Sequence, residues 1–472
     1  MSATKSMLFY AIAIVMLRGT SFVMLPIVTA FVEAEQYGVL NLLSSFTSIA
    51  GVVLMFGLGE VVYRFASSVE ESAQKRVFTW CFSVSVTGCT IAALSLWLLS
   101  DWLVPLFPLP VTTQQFCLII INLGCASITT VPYAMWRLRG KAKRFCGVVV
   151  AHTFLQSALT IWLLHLGLGI DANLISGATA SACCAAFLMW HYRDLLSIKS
   201  TFTVGQYWQY ALSMMLSSST MFFLQGIEQW IIAAHIGAVA LASYFIAAQL
   251  GLAVSLSIEP FKMWWFARRH RSLSEPEINN PLFSVLGTEL AGVAALFIMA
   301  VMPFMLVHLV PEEYLQALQW LPWICLITVL RQQSEFMNFG CFVKWRGSAP
   351  VAINCMSAAV MIVLALLWVE FWSLAGVLMA MVIANVVRVV LFLTISQYLL
   401  YQPYEFYRVL LMWVWLLLAF LASTHELFGL LVISILCHGI SITLHYQHLL
   451  TPLIKKVTLR ACSFYKQVQS HG

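Results

Sequence analysis

Apolar runs long enough to cross a bilayer recur along the whole chain, and no other feature restricts the fold so strongly. Fourteen can be drawn, at 6–31, 39–65, 77–99, 114–136, 145–168, 173–191, 208–235, 240–261, 281–309, 314–340, 350–369, 373–400, 407–423 and 427–446. A helix rises about 1.5 Å per residue, so roughly 20 residues cross a hydrocarbon core of about 30 Å. Lipid offers no partner to a bare N–H or C=O, so each run must satisfy its own backbone as a helix. Composition agrees: 61% of residues are hydrophobic and 9% charged, against about 25% charged in a soluble domain. The expected fold is therefore an all-α polytopic membrane protein of about 14 transmembrane helices. The first run is too long for a signal h-region, contains Arg18 and lacks a small-residue cleavage site, so no cleavable signal is expected. The twelve cysteines are scattered, with Cys183 and Cys184 the one close pair and no CxxC motif. They read as small packing residues.

The basic residues give the orientation. Of the 25 lysines and arginines, Arg18, Arg64, Arg331 and Arg388 fall well inside spans, and all the others fall at or beyond span ends on the side that holds both termini. The opposite turns carry Glu33, Glu35, Asp101, Asp171, Glu312, Glu313, Glu370 and Glu426. This positive-inside bias predicts cytoplasmic termini and an even number of spans. It also accounts for the net charge of +6 without nucleic acid as a partner. The outward turns are short; the longest, SDWLVPLFPLPVTTQ, has no charged cluster, and neither face has room for an enzyme domain. No cofactor is expected, and no GxxxxGK[ST] loop is present to hold ATP.

A weak internal repeat divides the chain. Setting Tyr37 in EAEQYGVLNLL against Tyr244 in ALASYFIAAQL gives an offset of 207, which also sets Arg139-Gly140 against Arg346-Gly347. Both basic turns precede an apolar span, a short outward turn and a small-residue span, LISGATASACC in one half and SLAGVLMAMVIAN in the other. Six spans per half is an even number, so both halves insert the same way, as in transporters built from parallel repeats. The expected organisation is a six-helix bundle at 1–200, a second at 201–400, and two further helices with a basic tail at 401–472.

At this point the residues resemble a known group. The stretch QWIIAAHIGAVALASYFIAAQLGLAVSLSIEPFKMWW is similar to the seventh and eighth spans of polysaccharide flippases of the multidrug/oligosaccharidyl-lipid/polysaccharide exporter superfamily. PEEYLQALQWLPWICLITVL, Asn354 and SLAGVLMAMVIAN resemble that group's tenth to twelfth spans, and LPIVTAFVEAEQYGVLNLL its first hairpin. The resemblance implies two-bundle alternating access in a bacterial inner membrane, with an undecaprenyl-diphosphate-linked oligosaccharide as cargo for O-antigen, capsule or exopolysaccharide. It also admits a proton or sodium ion for coupling, and a polymerase and chain-length regulator of the same pathway as partners.

The charges inside spans then become candidate sites. Arg18 lies thirteen residues past Lys5, about 20 Å of helix and near mid-depth. An unpartnered charge there costs about 2.5–3.5 kcal/mol on insertion scales. Two roles offset that cost: a clamp to a carboxylate on another helix, or a cavity cation meeting the diphosphate, to which a guanidinium can bind bidentately. The second explains Arg18 better. Arg388 poses the same question in span twelve. Glu228 in span seven is suited either to pair with an arginine or to bind a proton or sodium ion. Glu60 with Arg64 and Arg331 with Glu335 are spaced i to i+4, so each pair shares a helix face and can neutralise itself, as a structural pair or as part of a gate. Glu259 and Glu289, with Lys262 close by, suit a charged inner gate. His438, His445 and His448 can line one face but lack the carboxylate or cysteine a metal site needs. The leading expectation is the oligosaccharide flippase. A lipid II flippase and a multidrug or ion antiporter of the same superfamily are the alternatives, although spans one and two lack the mid-depth carboxylate that cationic drugs call for.

Overall fold

The computed structural model describes residues 16, 19–67, 70–195, 205, 207–215, 226–266, 268–269, 279–343, 348–425 and 427–447, and among these every regular element is a helix. The main helices are α1 (Gly19–Thr29), α2 (Ala34–Leu54), α3 (Leu58–Ala66), α4 (Glu71–Leu98), α5 (Thr113–Leu138), α6 (Ala142–His165) and α7 (Ile170–His191). They continue with α8 (Ile227–His235), α9 (Ala238–Phe266), α10 (Asn280–Leu309), α11 (Ala317–Phe336), α12 (Ser348–Leu399), α13 (Phe406–Thr424) and α14 (Phe428–His445). Among the described residues ten helical stretches are long and apolar enough to cross a membrane. The protein is a multi-pass membrane protein.

The ten stretches map onto the expected spans with three additions. Expected span one is described in part, as α1, and span seven in pieces, as 207–215 and α8. Span ten is α11, whose polar end, Arg331, Gln332, Gln333, Ser334 and Glu335, lowers its mean hydropathy. The 52-residue α12 is two spans. Ser373 interrupts it with φ 48°, and Arg388 hydrogen-bonds Asn354 at 3.0 Å. A straight helix would hold those residues about 50 Å apart, so the chain folds back at Ser373, where spans eleven and twelve were drawn to meet.

Local chemistry explains the other ends. The basic turn after α5 closes as a Schellman motif: Gly140 has φ 65°, and the Gly140 and Lys141 amides donate to the Arg137 and Trp136 carbonyls at 3.2 and 2.8 Å. A Thr112–Gln115 capping box starts α5. Expected span two is broken between α2 and α3, where Phe56 and Gly57 have φ 45° and 61°. A Cβ on Gly57 would fall 2.7 Å from Met214 Cβ and 3.0 Å from the Ala211 carbonyl, so a glycine is needed both for the turn and for the approach of 207–215.

The chain packs as two compact units. Unit 1 is Met1–Gln249, Leu306–Ala317 and Arg346–Arg388; unit 2 is Leu250–Met305, Leu318–Trp345 and Val389–Gly472. Within unit 1, α4 packs on α5, and α5 and α6 pack on α7, with Phe78, Trp80, Phe82, Val61 and Val62 buried at the core. Leu306–Ala317 joins this unit because Tyr314 sets its ring edge-on to Tyr37, centroids 5.7 Å apart, and donates its hydroxyl to the Val32 carbonyl. In α7, Ser176, Gly177, Ala178, Ala180 and Ser181 are buried; such small residues allow the close backbone approach that packs helices in lipid, where no hydrophobic drive exists between them. Unit 2 centres on Ile258, Trp265, Ala291 and Phe336, with α13 and α14 packed as a hairpin.

Candidate substrate cavity

Inside unit 1 lies a cavity of about 390 Å³, to which six helices each present one face at helical spacing. From α1 come Thr20, Ser21 and Met24; from α2 Tyr37, Asn41 and Ser44; from α5 Thr129 and Tyr133. Helix α6 gives the longest polar stripe, His152, Thr153, Gln156, Ser157 and Thr160, which runs i, i+1, i+4, i+5, i+8 along one side. Asn173 and Ser181 of α7, with Phe245 and Gln249 of α9, complete it. A smaller pocket of about 160 Å³ continues the track past Ser44, Gln156 and Asn173 to Asn122 and Thr47.

The lining is polar without being charged. No Asp, Glu, Lys or Arg is among the described lining residues. Two hydroxyls are half used: Ser44 and Thr153 each donate to the carbonyl four residues back, at 2.9 Å, which leaves their lone pairs able to accept; Thr160 donates likewise, but its oxygen also meets Ser176 Oγ at 2.5 Å. His152 Nε2 lies 3.3 Å from Ser181 Oγ, and Ser181 in turn donates to Asn122 Oδ1 at 2.6 Å. Pro132, between Thr129 and Tyr133, has no N–H to return to the Ile128 carbonyl. Asn41 stands apart from these groups. It is 2% exposed, and its Nδ2 has no hydrogen-bond partner among the described residues, a state that costs about 1–3 kcal/mol for a buried donor.

A second hollow of about 630 Å³ lies at the acidic turns, lined by Glu33, Glu35, Gln36 and Asp171. There Gln115 Nε2 donates to Asp171 Oδ1 at 2.9 Å.

The charged residues singled out in the sequence lie elsewhere. Arg18 is outside the described residues. Arg388 is buried, 4% exposed, with Nε donating to Asn354, and is not among the residues that line the cavity. Glu228, in the first turn of α8 and 1% exposed, accepts from the Tyr244 hydroxyl at 2.9 Å. Neither i, i+4 pair forms an ion pair among the described residues. Arg64 instead stacks on Tyr210, 4.4 Å from the ring centroid. Glu335 meets Lys262 Nζ at 2.5 Å, and Glu259 lies 3.9 Å from the same nitrogen. Spacing along one helix proposed Arg331 for Glu335, but a lysine on α9 reaches it first. Glu289 is not in the Lys262 cluster; it pairs with Arg408 of α13 at 2.8 Å, with the two side chains 1% and 4% exposed. His438 is buried in unit 2, His445 Nε2 lies 3.2 Å from Glu405 Oε2, and His448 is outside the described residues. Beyond α9, Arg269 donates to Asn338 Oδ1 at 3.1 Å and stacks on Phe266; burial pulls its pKa below the usual arginine value.

Comparison with solved structures defines the class first. The chain is similar to a lipid II flippase, MurJ, in an inward closed conformation, with TM-score 0.67 and 12% identity over 94% of this chain and 100% of that one. It is similar also to an inward-facing multidrug resistance MATE family transporter of the MOP superfamily, with TM-score 0.59 and 14% identity over 83% and 97%. A MOP superfamily transporter from Pyrococcus furiosus gives TM-score 0.50 and 13% identity over 83% and 94%. The fold is thus that of the MOP superfamily transporters. Residues 17–260 match the model of the family described as polysaccharide biosynthesis protein, and the chain belongs to that family. No curated protein sequence matches.

Proposed function

We propose that the protein is a flippase that moves an undecaprenyl-diphosphate-linked oligosaccharide from the cytoplasmic to the outer leaflet of a bacterial inner membrane by alternating access, for O-antigen, capsule or exopolysaccharide synthesis. The observation that carries this reading is a cavity lined by uncharged hydrogen-bonding side chains in a chain that belongs to the polysaccharide biosynthesis family. Sugars present hydroxyls that donate and accept, which is what Ser, Thr, Asn and Gln offer in return. Membership of that family favours a surface glycan over lipid II as cargo. The one-sided basic residues support cytoplasmic termini, and the repeat at an offset of 207 supports two bundles, 1–200 and 201–400, with 401–472 appended. A proton or sodium ion is the coupling ion this reading admits, and a polymerase and chain-length regulator its pathway partners.

Arg18 keeps its proposed role as the diphosphate contact; it stands three residues before Ser21 in the sequence. Arg18→Lys keeps the charge but loses the bidentate fork, so transport should fall partway. Arg18→Ala should be severe and Arg18→Glu worst. A charged hydrogen bond contributes about 1.5–3 kcal/mol, so the alanine change should weaken head-group affinity roughly ten- to hundredfold. The measurement is surface-glycan display in a deletion strain, normalised to membrane protein level. Normal display from an abundant Arg18→Glu variant would sink the role.

A further inference from the structure

We infer that the unit 1 cavity is a subsite for an uncharged sugar unit, that it discriminates against sugars bearing a carboxylate, and that Asn41 is a positioning donor within it. The inference rests on the glycan-lipid reading above and deepens it by stating which class of sugar is accepted.

The charge pattern comes first. A carboxylate moved from water into this cavity meets no lysine or arginine among the described lining residues. Burying an ion without a counterion is among the most costly events in a protein interior. His152 is the one histidine among the described lining residues, and its Nε2 already faces Ser181. Other titratable groups on the lining are the phenols of Tyr37 and Tyr133, which carry no positive charge. Arg18 belongs to the diphosphate in the proposed function, and every cargo of this kind carries the diphosphate.

Asn41 supplies a second, independent observation. Asn41 lines the cavity, and its Nδ2 is a buried donor with no partner among the described residues. Native interiors seldom leave such a group unmet. A sugar hydroxyl or N-acetyl oxygen meets this donor as an acceptor, while the hydroxyl oxygens of Ser44 and Thr153, whose protons go to their own helix backbones, accept from sugar hydroxyls. Tyr37, Tyr133 and Phe245 give the apolar faces on which the C–H side of a pyranose ring rests. A volume of about 390 Å³ sits at the small end of ligand sites, which run from roughly 300 to 1,000 Å³. It suits a short part of a head group, not a long chain.

The test compares two probes that differ only at C6 of the sugar: undecaprenyl diphosphate bearing glucose, and undecaprenyl diphosphate bearing glucuronic acid. Binding to the full-length protein in lipid nanodiscs is measured for both, with bare undecaprenyl diphosphate as the reference. The neutral probe should bind more tightly than the reference, and the uronate probe at least about tenfold more weakly than the neutral one. Asn41→Leu should reduce the gain from the neutral sugar by roughly fivefold while leaving the reference probe unchanged. Gln156→Arg should raise affinity for the uronate probe, because it supplies the missing counterion. Equal binding of the two sugar probes overturns this inference and leaves the flippase reading standing. Failure of all three lipids to bind overturns that reading, and the inference with it. An Asn41→Leu protein that binds the neutral probe normally removes Asn41 from the site, whatever the wild-type preference.

Discussion

The buried pair Glu289–Arg408 allows a quantitative test of what charges in this protein are for. The two side chains meet at 2.8 Å and are 1% and 4% exposed. Glu289 lies nine residues into α10, about 14 Å from its start, and Arg408 is near the start of α13, so the pair ties the α13–α14 hairpin to α10 within unit 2. Both ions have left water, and each is tolerable only because of the other. Removing one partner strands the other charge at a cost of about 3–5 kcal/mol, whereas replacing both with apolar side chains of similar volume is near neutral or stabilising. Glu289→Met and Arg408→Met should therefore each lower membrane abundance and shorten the half-life in detergent at elevated temperature. The double variant should recover most of the loss. Half-life is the right readout because unfolding of a large membrane protein is in practice irreversible. The strong non-additivity is the signature of direct contact. Additive losses would refute the pairing, and so would an Arg408→Met protein as long-lived as the wild type. If Glu289 acted in a gate, as its place in the sequence first proposed, single variants would stay abundant and lose transport.

Three further outcomes are expected. Lys262 and Glu335 are 15% and 32% exposed, so breaking their pair should cost no more than about 1 kcal/mol; Glu335→Gln should accumulate normally, and a transport defect at normal abundance would show that the cluster with Glu259 acts in gating. Gly38→Val should sharply lower abundance, because a Cβ there collides with the Ala238 carbonyl, a backbone atom that cannot swing aside; normal accumulation would mean that α2 and α9 do not approach so closely. In a cysteine-free background, an impermeant maleimide applied from outside should label Asp171→Cys and not Lys141→Cys, and the reverse pattern would overturn the orientation drawn from the basic residues.

How far the sequence could be read depended on the range of the interaction involved. Helix formation in lipid is dictated locally, since each run must satisfy its own backbone, so the spans, the Gly140 turn and the reversal near Ser373 were all legible. The break at Phe56–Gly57 was not, because hydropathy is blind to φ. Partner choice among charges is tertiary. Glu335 had Arg331 one turn away, yet Lys262 on α9 takes it; Glu289 had Lys262 as a nominal neighbour, yet Arg408, more than a hundred residues on, reaches it. The cavity escaped for another reason. Charge, the costliest thing in a membrane, stands out in the sequence, while Asn41, Gln156 and Asn173 scarcely disturb a hydropathy plot. The α6 stripe from His152 to Thr160 was the available signal, since its polar residues recur at helical spacing inside an apolar run.

That division between charged and uncharged polar groups has a physical logic under the proposed function. Glu228, Arg388, Glu289 and Arg408 are all buried and all engaged: Tyr244 donates to Glu228, Asn354 accepts from Arg388, and the last two hold each other. Charge desolvated in this way fixes helices, and exchanging it for a ligand would cost several kcal/mol per ion at every cycle. The cavity instead offers hydrogen bonds between neutral groups, each contributing a net of only about 0.5–1.5 kcal/mol because water makes nearly as good a partner. A carrier has to surrender its cargo as readily as it takes it. A lining of Ser, Thr, Asn and Gln can trade sugar for water and back with little net cost, and orientation comes from the number and placement of contacts instead of from one strong one. In that scheme strong electrostatic attraction is reserved for the diphosphate, the part every cargo shares, and the walls of unit 1 are left to read the sugar.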